Sequence, residues 1–451
     1  MEMINTQTAV EVQASGAIMR TELPASFRTS DVSQSWTERL LITENVLYAQ
    51  IFASEATRGL VVASLPAYLT LVGATSADTI SARTSTSIAV SLFSIGRLLA
   101  ATPFGYWVDR SASTRTVLET ASWITIAATA VYALSGWIFG GAGIVALLFI
   151  WVSRFVSGFG SGTIGITRAY LANHSLVEER TLVLSRAALA QYAGYTISPS
   201  IAILFNTFAS AFVVDDSSLI YLAVIPSLIA SALSLLVLYN IRRLPRLDPC
   251  TQTLTDGAGQ VSKRNGAMQI DKAFAVFFAL NLILRGVIGV AETYAADEYQ
   301  YLNSEHSDAV QDSQKMLLGL GILGVGTFLA IPALEKRFGL PKILYAGMAV
   351  TALGSLLMLP GVQGDSKITF GSGLLLIWSI GSPICQTLTI SAYSKMLKAK
   401  PQAIAMSWLT TAGSIGRILF PLLVGINITV AQIVDMMGCL VCGVLYAWIT
   451  Q

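Results

Sequence analysis

The sequence predicts an all-α polytopic membrane protein with twelve transmembrane helices in two six-helix sets, and three observations carry that reading. Apolar residues make up 54% of the 451 positions and charged residues only 12%, whereas a soluble globular protein carries about a quarter charged. A surface so poor in charge has to face lipid. The apolar residues also gather into long stretches, with a mean hydropathy of +0.64 over the chain. A spanning helix takes about 20 mainly apolar residues, roughly twice the length of a barrel strand, and these stretches do not alternate as barrel strands do. Finally, lysine and arginine crowd every second loop.

The first apolar stretch covers 45–72. Before it, residues 1–40 are polar and mixed, lack the apolar core and cleavage site of a signal peptide, and read as a disordered cytoplasmic tail. The stretches 84–108 and 116–139 follow, parted by a charged hinge. The fourth, 142–172, holds Gly158 and Gly162 one helical turn apart, a spacing that lets backbones approach. The stretches 182–206 and 218–241 complete the first six. The interval 242–271 combines proline, glycine, serine and charge, and reads as a cytoplasmic linker between an N-terminal bundle, 41–241, and a C-terminal bundle, 272–451. The second six stretches are 272–296, 314–334, 341–360, 367–397, 400–425 and 428–450.

Charge orients the bundle. Arg110 and Arg115, Arg180 and Arg186, Arg242 and Arg243, Lys336 to Lys342, and Lys395 fall in one set of loops. The other set carries acids such as Asp215, Asp216, Asp297, Glu298, Asp308 and Asp312. By the positive-inside rule the basic set is cytoplasmic, and so are both termini. The net charge of +2 gives no footprint for nucleic acid. No Gly-x-x-x-x-Gly-Lys-Ser/Thr loop occurs, so ATP does not drive the protein directly. Cys439-x-x-Cys442 has no second ligand pair, and the histidines are only His174 and His306, so no metal or other cofactor is expected. The expected partners are the bilayer and a small solute, with no enzymatic activity.

Three motifs sit at the ends of these stretches. The hinge Gly105-Tyr-Trp-Val-Asp109-Arg110-Ser-Ala-Ser-Thr-Arg115 packs an acid and two bases into a two-helix turn. It echoes in Glu335-Lys336-Arg337-Phe-Gly339, with Asp109 and Glu335 separated by 226 positions, about half the chain. Arg154-Phe-Val-Ser-Gly158-Phe-Gly160-Ser-Gly162 opens the core of the fourth stretch, which ends in Arg168-Ala-Tyr170. The hinge resembles the loop between helices two and three of the major facilitator superfamily, and the Arg154 run is similar to that superfamily's second signature. Ala112 stands where the superfamily's hinge has its second glycine, and the last base comes late, at Arg115.

The resemblance implies the major facilitator fold, two pseudo-symmetric six-helix bundles that alternate access to a central site. It implies a gating latch at Asp109, and we extend that latch to Gly105, Arg110, Arg115, Arg154, Arg168, Glu335, Lys336 and Arg337, with Arg168 reaching Asp109 or the Glu178–Glu179 pair. Ser64-Leu-Pro66-Ala-Tyr68, Arg168-Ala-Tyr170, Tyr393-Ser-Lys395 and Trp408 through Arg417 with Pro421 resemble the lysosomal CLN7-type subfamily. That likeness implies an endosomal or lysosomal membrane.

Ionisable residues inside spans mark candidate sites, because each needs a partner, a cavity or a proton. Glu55 and Arg58 lie three apart on one face of the first stretch. Arg285 and Glu292 lie seven apart on the seventh, and Arg58 and Arg285 are separated by 227 positions, nearly the offset between the hinge acids. Arg97, Arg417 and Asp435 are further ionisable groups in spans. The resemblance implies a cavity lined by the first, fourth, seventh and tenth spans, hence by Glu55, Arg58, Arg285 and Glu292, with Trp378, Gln386 and Tyr393. Each arginine is expected to pair with the glutamate on its own helix, and such pairs also serve purely to hold structure. The function expected is secondary transport of a small solute. Arginines in excess of acids favour an anion, and proton coupling would rest on Glu55 or Glu292. The rivals are an anion channel, which would pass current without saturable exchange, and a non-transporting sensor or scaffold.

Overall fold

In the computed structural model the described residues are 30–73, 82–110, 113–139, 144–210, 224–244, 272–302, 309–364, 366–397 and 402–450. They form twelve long helices: α1 (Ser30–Gly73), α2 (Ala82–Arg110), α3 (Thr114–Phe139), α4 (Ile144–Asn173), α5 (Arg180–Ser210), α6 (Ile225–Arg243), α7 (Lys272–Leu302), α8 (Ala309–Phe338), α9 (Leu340–Leu357), α10 (Lys367–Leu397), α11 (Ala403–Ile426) and α12 (Ile428–Thr450). Ten of them are long and apolar enough to cross a membrane by length and composition, and α1 and α5 complete the twelve. The chain is an integral, multi-pass membrane protein. All packing described below lies within Glu44–Gln451.

Helices are what apolar spans must form, because lipid offers nothing to an open backbone N–H or C=O. The outward faces are aliphatic: Val152, Leu236, Leu329 and Val444 are exposed. Inward faces carry small and polar residues that let helices close up. A β-carbon at Gly158 would sit 2.0 Å from the Phe93 carbonyl, so α2 and α4 touch backbone to backbone there. The corresponding approach in the second half joins α7 and α11, where a β-carbon on Gly416 would sit 2.0 Å from the Leu282 carbonyl. The predicted close approach at Gly158 and Gly162 is thus realised, Gly162 packing on Ala100.

Two spans are locally rewound. α4 tightens into a 3-10 turn at Ser161–Thr163, and α10 widens into a π turn at Leu376–Gly381. Such turns shift the facing of the residues that follow, and π turns recur at functional sites. Between α8 and α9 the chain reverses at Gly339, whose φ of +85° suits only glycine without strain. Pro341 then begins α9, where its missing N–H costs nothing.

The halves α1–α6 and α7–α12 meet along α2, α4 and α5 on one side and α8, α10 and α11 on the other. Thr102 and Thr411 hydroxyls bond at 3.0 Å, Ser185 donates to the Phe328 carbonyl at 2.8 Å, and Arg180 donates to the Ser394 carbonyl at 2.7 Å. The last two lie toward the end of the bundle where α5 begins and α10 ends, here called the linker side.

Two sequence expectations shift. α1 begins at Ser30, so the last part of the segment expected to be a disordered tail is helical. The seventh and eighth spans run longer than expected, to Leu302 and from Ala309, because the acidic stretch between them continues both helices. Residues 1–29 of the expected tail, 245–271 of the expected linker, and Ala112 in the hinge lie outside the described residues.

Candidate functional site

One hydrogen-bonded network runs through the middle of the helices. Glu55 on α1 is 1% exposed and bonds Arg97 of α2 at 2.8 Å, with Arg58 at 3.6 Å. Arg58 reaches into the other half, bonding Glu292 of α7 at 2.8 Å, and Glu292 bonds Arg417 of α11 at 2.9 Å. Gln191 of α5 donates its amide to Glu55 at 2.7 Å. The Gln191 carbonyl oxygen accepts three bonds: from Arg168 of α4 at 2.5 Å, Gln386 of α10 at 3.0 Å and Arg285 of α7 at 3.2 Å.

The balance of charge is lopsided. Arg58, Arg97, Arg154, Arg168 and Arg285 are buried and the Arg417 side chain is only 11% exposed, against two carboxylates, Glu55 and Glu292. Arg168 and Arg285 meet no carboxylate among the described residues; both turn to the Gln191 oxygen. Aromatic rings carry part of the burden: the guanidinium carbons of Arg154, Arg97 and Arg58 lie 4.9, 5.1 and 5.8 Å from the Phe93 ring centre, and Arg58 also lies 4.6 Å from that of Tyr195. A ring face attracts a buried cation, though less than a carboxylate does.

Two adjoining cavities open on this network. The first is lined by Arg97, Arg168, Arg285 and Arg417 with no carboxylate. The second shares Gln191, Arg285 and Arg417 with it and adds both glutamates and the rings of Tyr192, Tyr195 and Trp378. Buried cations that face no carboxylate are costly, so the first cavity is chemically suited to a bound anion.

The structure brings Glu55, Arg58, Arg285, Glu292, Gln386 and Trp378 together as expected, but pairs them differently. Glu292 does not pair with Arg285 on its own helix; it bridges Arg58 and Arg417. Seven residues along a helix is about 10 Å, and Arg285 is drawn sideways by Gln191. Tyr393 stands apart from the path, its ring 5.4 Å from that of Phe277 and 6.3 Å from that of Phe274. Arg97 and Arg417, noted only as ionisable, belong to the centre. Gln191 carries no charge, so the cost of burying ions does not mark it; its signal in the sequence is an amide within the apolar run of a span.

The expected latch also resolves into different parts. Asp109 meets no arginine among the described residues: its carboxylate accepts from the Ile404 backbone N–H at 2.9 Å, capping the start of α11 across the interface between halves. An anion there is favoured by the helix dipole. Gly105 allows the contact, since a β-carbon would lie 2.6 Å from the Ser407 hydroxyl. Arg110 lies over Tyr106 at 5.4 Å, and Arg115 ties Glu119 at 2.7 Å to the Leu244 carbonyl at 3.0 Å, within the first half. In the second half Glu335 bonds Lys395 at 2.7 Å, while Lys336 is exposed and Arg337 lies over Phe338 at 5.2 Å. Arg168 and Arg154 make no contact with the hinge among the described residues. Arg168 bonds Gln191 at the centre rather than Asp109 or Glu178–Glu179. Arg154 precedes it by about 20 Å of helix, is 2% exposed, and leaves its Nε and one Nη without a hydrogen-bond partner among the described residues.

Comparison with known proteins places this geometry in context. The family model described as Major Facilitator Superfamily matches residues 47–421. Major facilitator superfamily domain-containing protein 8 of Xenopus laevis is 24% identical over 445 residues, covering 84% of each chain. Among solved structures, the human organic anion transporter MFSD10 superposes with a TM-score of 0.65 at 16% identity, covering 90% of this chain and 98% of that one. The proton:xylose symporter XylE bound to 6-bromo-6-deoxy-D-glucose superposes with a TM-score of 0.68 at 15% identity, covering 90% and 95%.

Proposed function

The chain belongs to the Major Facilitator Superfamily, and from that premise we propose that it is a secondary transporter moving a small anionic solute by alternating access. The observation that carries this reading is the cavity lined by Arg97, Arg168, Arg285 and Arg417 without a carboxylate. An anion entering it relieves buried cations, and water leaves the site as it binds. The helices contributing to the network come from both halves, so rocking one half against the other exposes the same residues to alternate sides.

The contacts at Asp109–Ile404 and Arg180–Ser394 support a gate on the linker side. In this reading Gly105 and Asp109, with Glu335 and Lys395, hold that gate in one conformation and release it in the other. Proton coupling rests on Glu55 and Glu292, which between them hold Arg58, Arg97 and Arg417. Protonation of either glutamate releases an arginine to the solute. Glu55→Gln is therefore expected to keep uptake but flatten its pH dependence. The basic loops support cytoplasmic termini, and the CLN7-type blocks support an endosomal or lysosomal membrane. Cysteines placed in 245–271 should react with impermeant reagents from the cytoplasmic side alone.

The test is flux into proteoliposomes loaded with candidate anions. Saturable uptake and counterflow of an anion support the transporter; a current that follows voltage without saturable exchange makes it a channel, and neither makes it a scaffold.

A further inference from the structure

Resting on that reading, we propose that the central site takes a small doubly charged oxyanion, one of whose oxygens replaces the Gln191 carbonyl oxygen between Arg168, Arg285 and Gln386. The argument starts from the wall of the first cavity. Of its four arginines, Arg97 is paired with Glu55 at 2.8 Å and Arg417 with Glu292 at 2.9 Å, each glutamate being shared with Arg58. Arg168 and Arg285 remain, one from each half, and both point at a single neutral oxygen. Two guanidiniums held in a low-dielectric site call for two negative charges. A monoanion leaves one of them unpaired.

Among the neutral polar groups of the wall, Thr410 donates its hydroxyl proton to the Met406 carbonyl and Ser414 to the Thr410 carbonyl, while Asn281 gives one amide proton to the Leu409 carbonyl and keeps a second. Recognition therefore falls to the arginines and the second Asn281 proton, with the Gln386 amide reaching in from the adjoining cavity. Ile164, Ile390, Met406 and Leu409 supply the rest of the wall, which suits a short aliphatic spacer between charged ends.

Gln191 has a specific part in this. Its oxygen gathers donors from α4, α7 and α10, the constellation a solute oxygen needs, while its amide N–H holds Glu55. In this arrangement it holds the place proposed for a solute oxygen and ties both halves to one atom. An incoming dianion displaces it, and the displaced amide lets go of Glu55.

The experiment is ligand-induced thermal stabilisation of the purified full-length protein, with proteoliposome uptake, using succinate, its monomethyl ester, butyrate, sulfate and inorganic phosphate. The dianions are expected to bind at least 10-fold more tightly than the monoanions of similar size. Succinate above sulfate and phosphate marks a dicarboxylate site, and the reverse an inorganic one; either order supports the proposal. Arg168→Gln and Arg285→Gln are each expected to erase the preference for two charges. Gln191→Glu supplies a tethered carboxylate and should weaken dianion binding at least 10-fold, whereas Gln191→Ala should leave it as tight or tighter. If monoanions bind and move as well as dianions, this inference fails while anion transport stands. If no anion binds or moves, both fail. Equal loss of binding in Gln191→Ala and Gln191→Glu also overturns the displacement.

Discussion

Arg58 on α1 and Arg285 on α7 occupy corresponding places in the two halves, 227 positions apart, but their surroundings differ in kind. Arg58 has Glu292 at 2.8 Å and Glu55 at 3.6 Å, and its guanidinium lies on the Tyr195 ring. Arg285 has the Gln191 amide oxygen at 3.2 Å and no carboxylate. Arg58 joins the two halves through Glu292, whereas Arg285 is held by a neutral oxygen. The matched spacing along the chain therefore does not tell which arginine of the pair takes a carboxylate.

The contrast breaks most directly at Glu292. Glu292→Ala leaves Arg58 and Arg417 short of their shared partner, and removing one member of a buried ion pair costs about 3–5 kcal/mol. A marked fall in the unfolding temperature of the detergent-solubilised protein is expected. Arg285→Gln should do the reverse, leaving the unfolding temperature unchanged or raised, because it removes an uncompensated cation. Anion uptake should drop about 100-fold, equivalent to about 2.7 kcal/mol. If both variants lose stability equally, the two arginines are both structural.

A smaller effect is expected away from the centre. Asp109→Asn keeps an acceptor for the Ile404 N–H but removes the charge facing the start of α11, worth about 0.3–1 kcal/mol. Unfolding should be nearly unaffected while initial uptake rates fall several-fold. Wild-type rates at equal expression would place the latch elsewhere.

Much of this was legible before any coordinates. The twelve spans follow from stretches of apolar residues, since lipid leaves the backbone no alternative to a helix. Glu55, Arg58, Arg285 and Glu292 were marked by the cost of burying charge, and they do converge. Who pairs with whom was not legible. Glu292 sits on the same helix as Arg285, and spacing along one helix favours that pair; the rotation and tilt of α7 against α1 and α11 decide otherwise. Spacing along α10 does not say whether Tyr393 faces the path or its neighbours; its ring lies against those of Phe274 and Phe277. Asp109 was read as half of a charge pair because arginines follow it in sequence. The partner it takes is a backbone N–H from a helix almost 300 positions away, which no local pattern encodes.

α11 is attached to α2 by Ile404 to Asp109 and Thr411 to Thr102, and to α7 by Leu409 to Asn281 and Arg417 to Glu292. Thr411 falls near the midpoint, with arms of roughly 10 Å to either side at 1.5 Å per residue. A rigid rod pinned at its centre behaves as a seesaw. A tilt of about 5° moves each end by roughly 1 Å in opposite directions, enough to take a 2.9 Å hydrogen bond beyond the 3.2 Å limit of good geometry. Because α7 packs on α11 backbone to backbone at Gly416, a tilt about Thr411 carries α7 with it, and the bond it strains is the one from Ile404 to Asp109 of α2. Substitutions that lengthen one arm, by moving the Thr102–Thr411 pivot a turn along the helix, would change how much motion at the site reaches the gate.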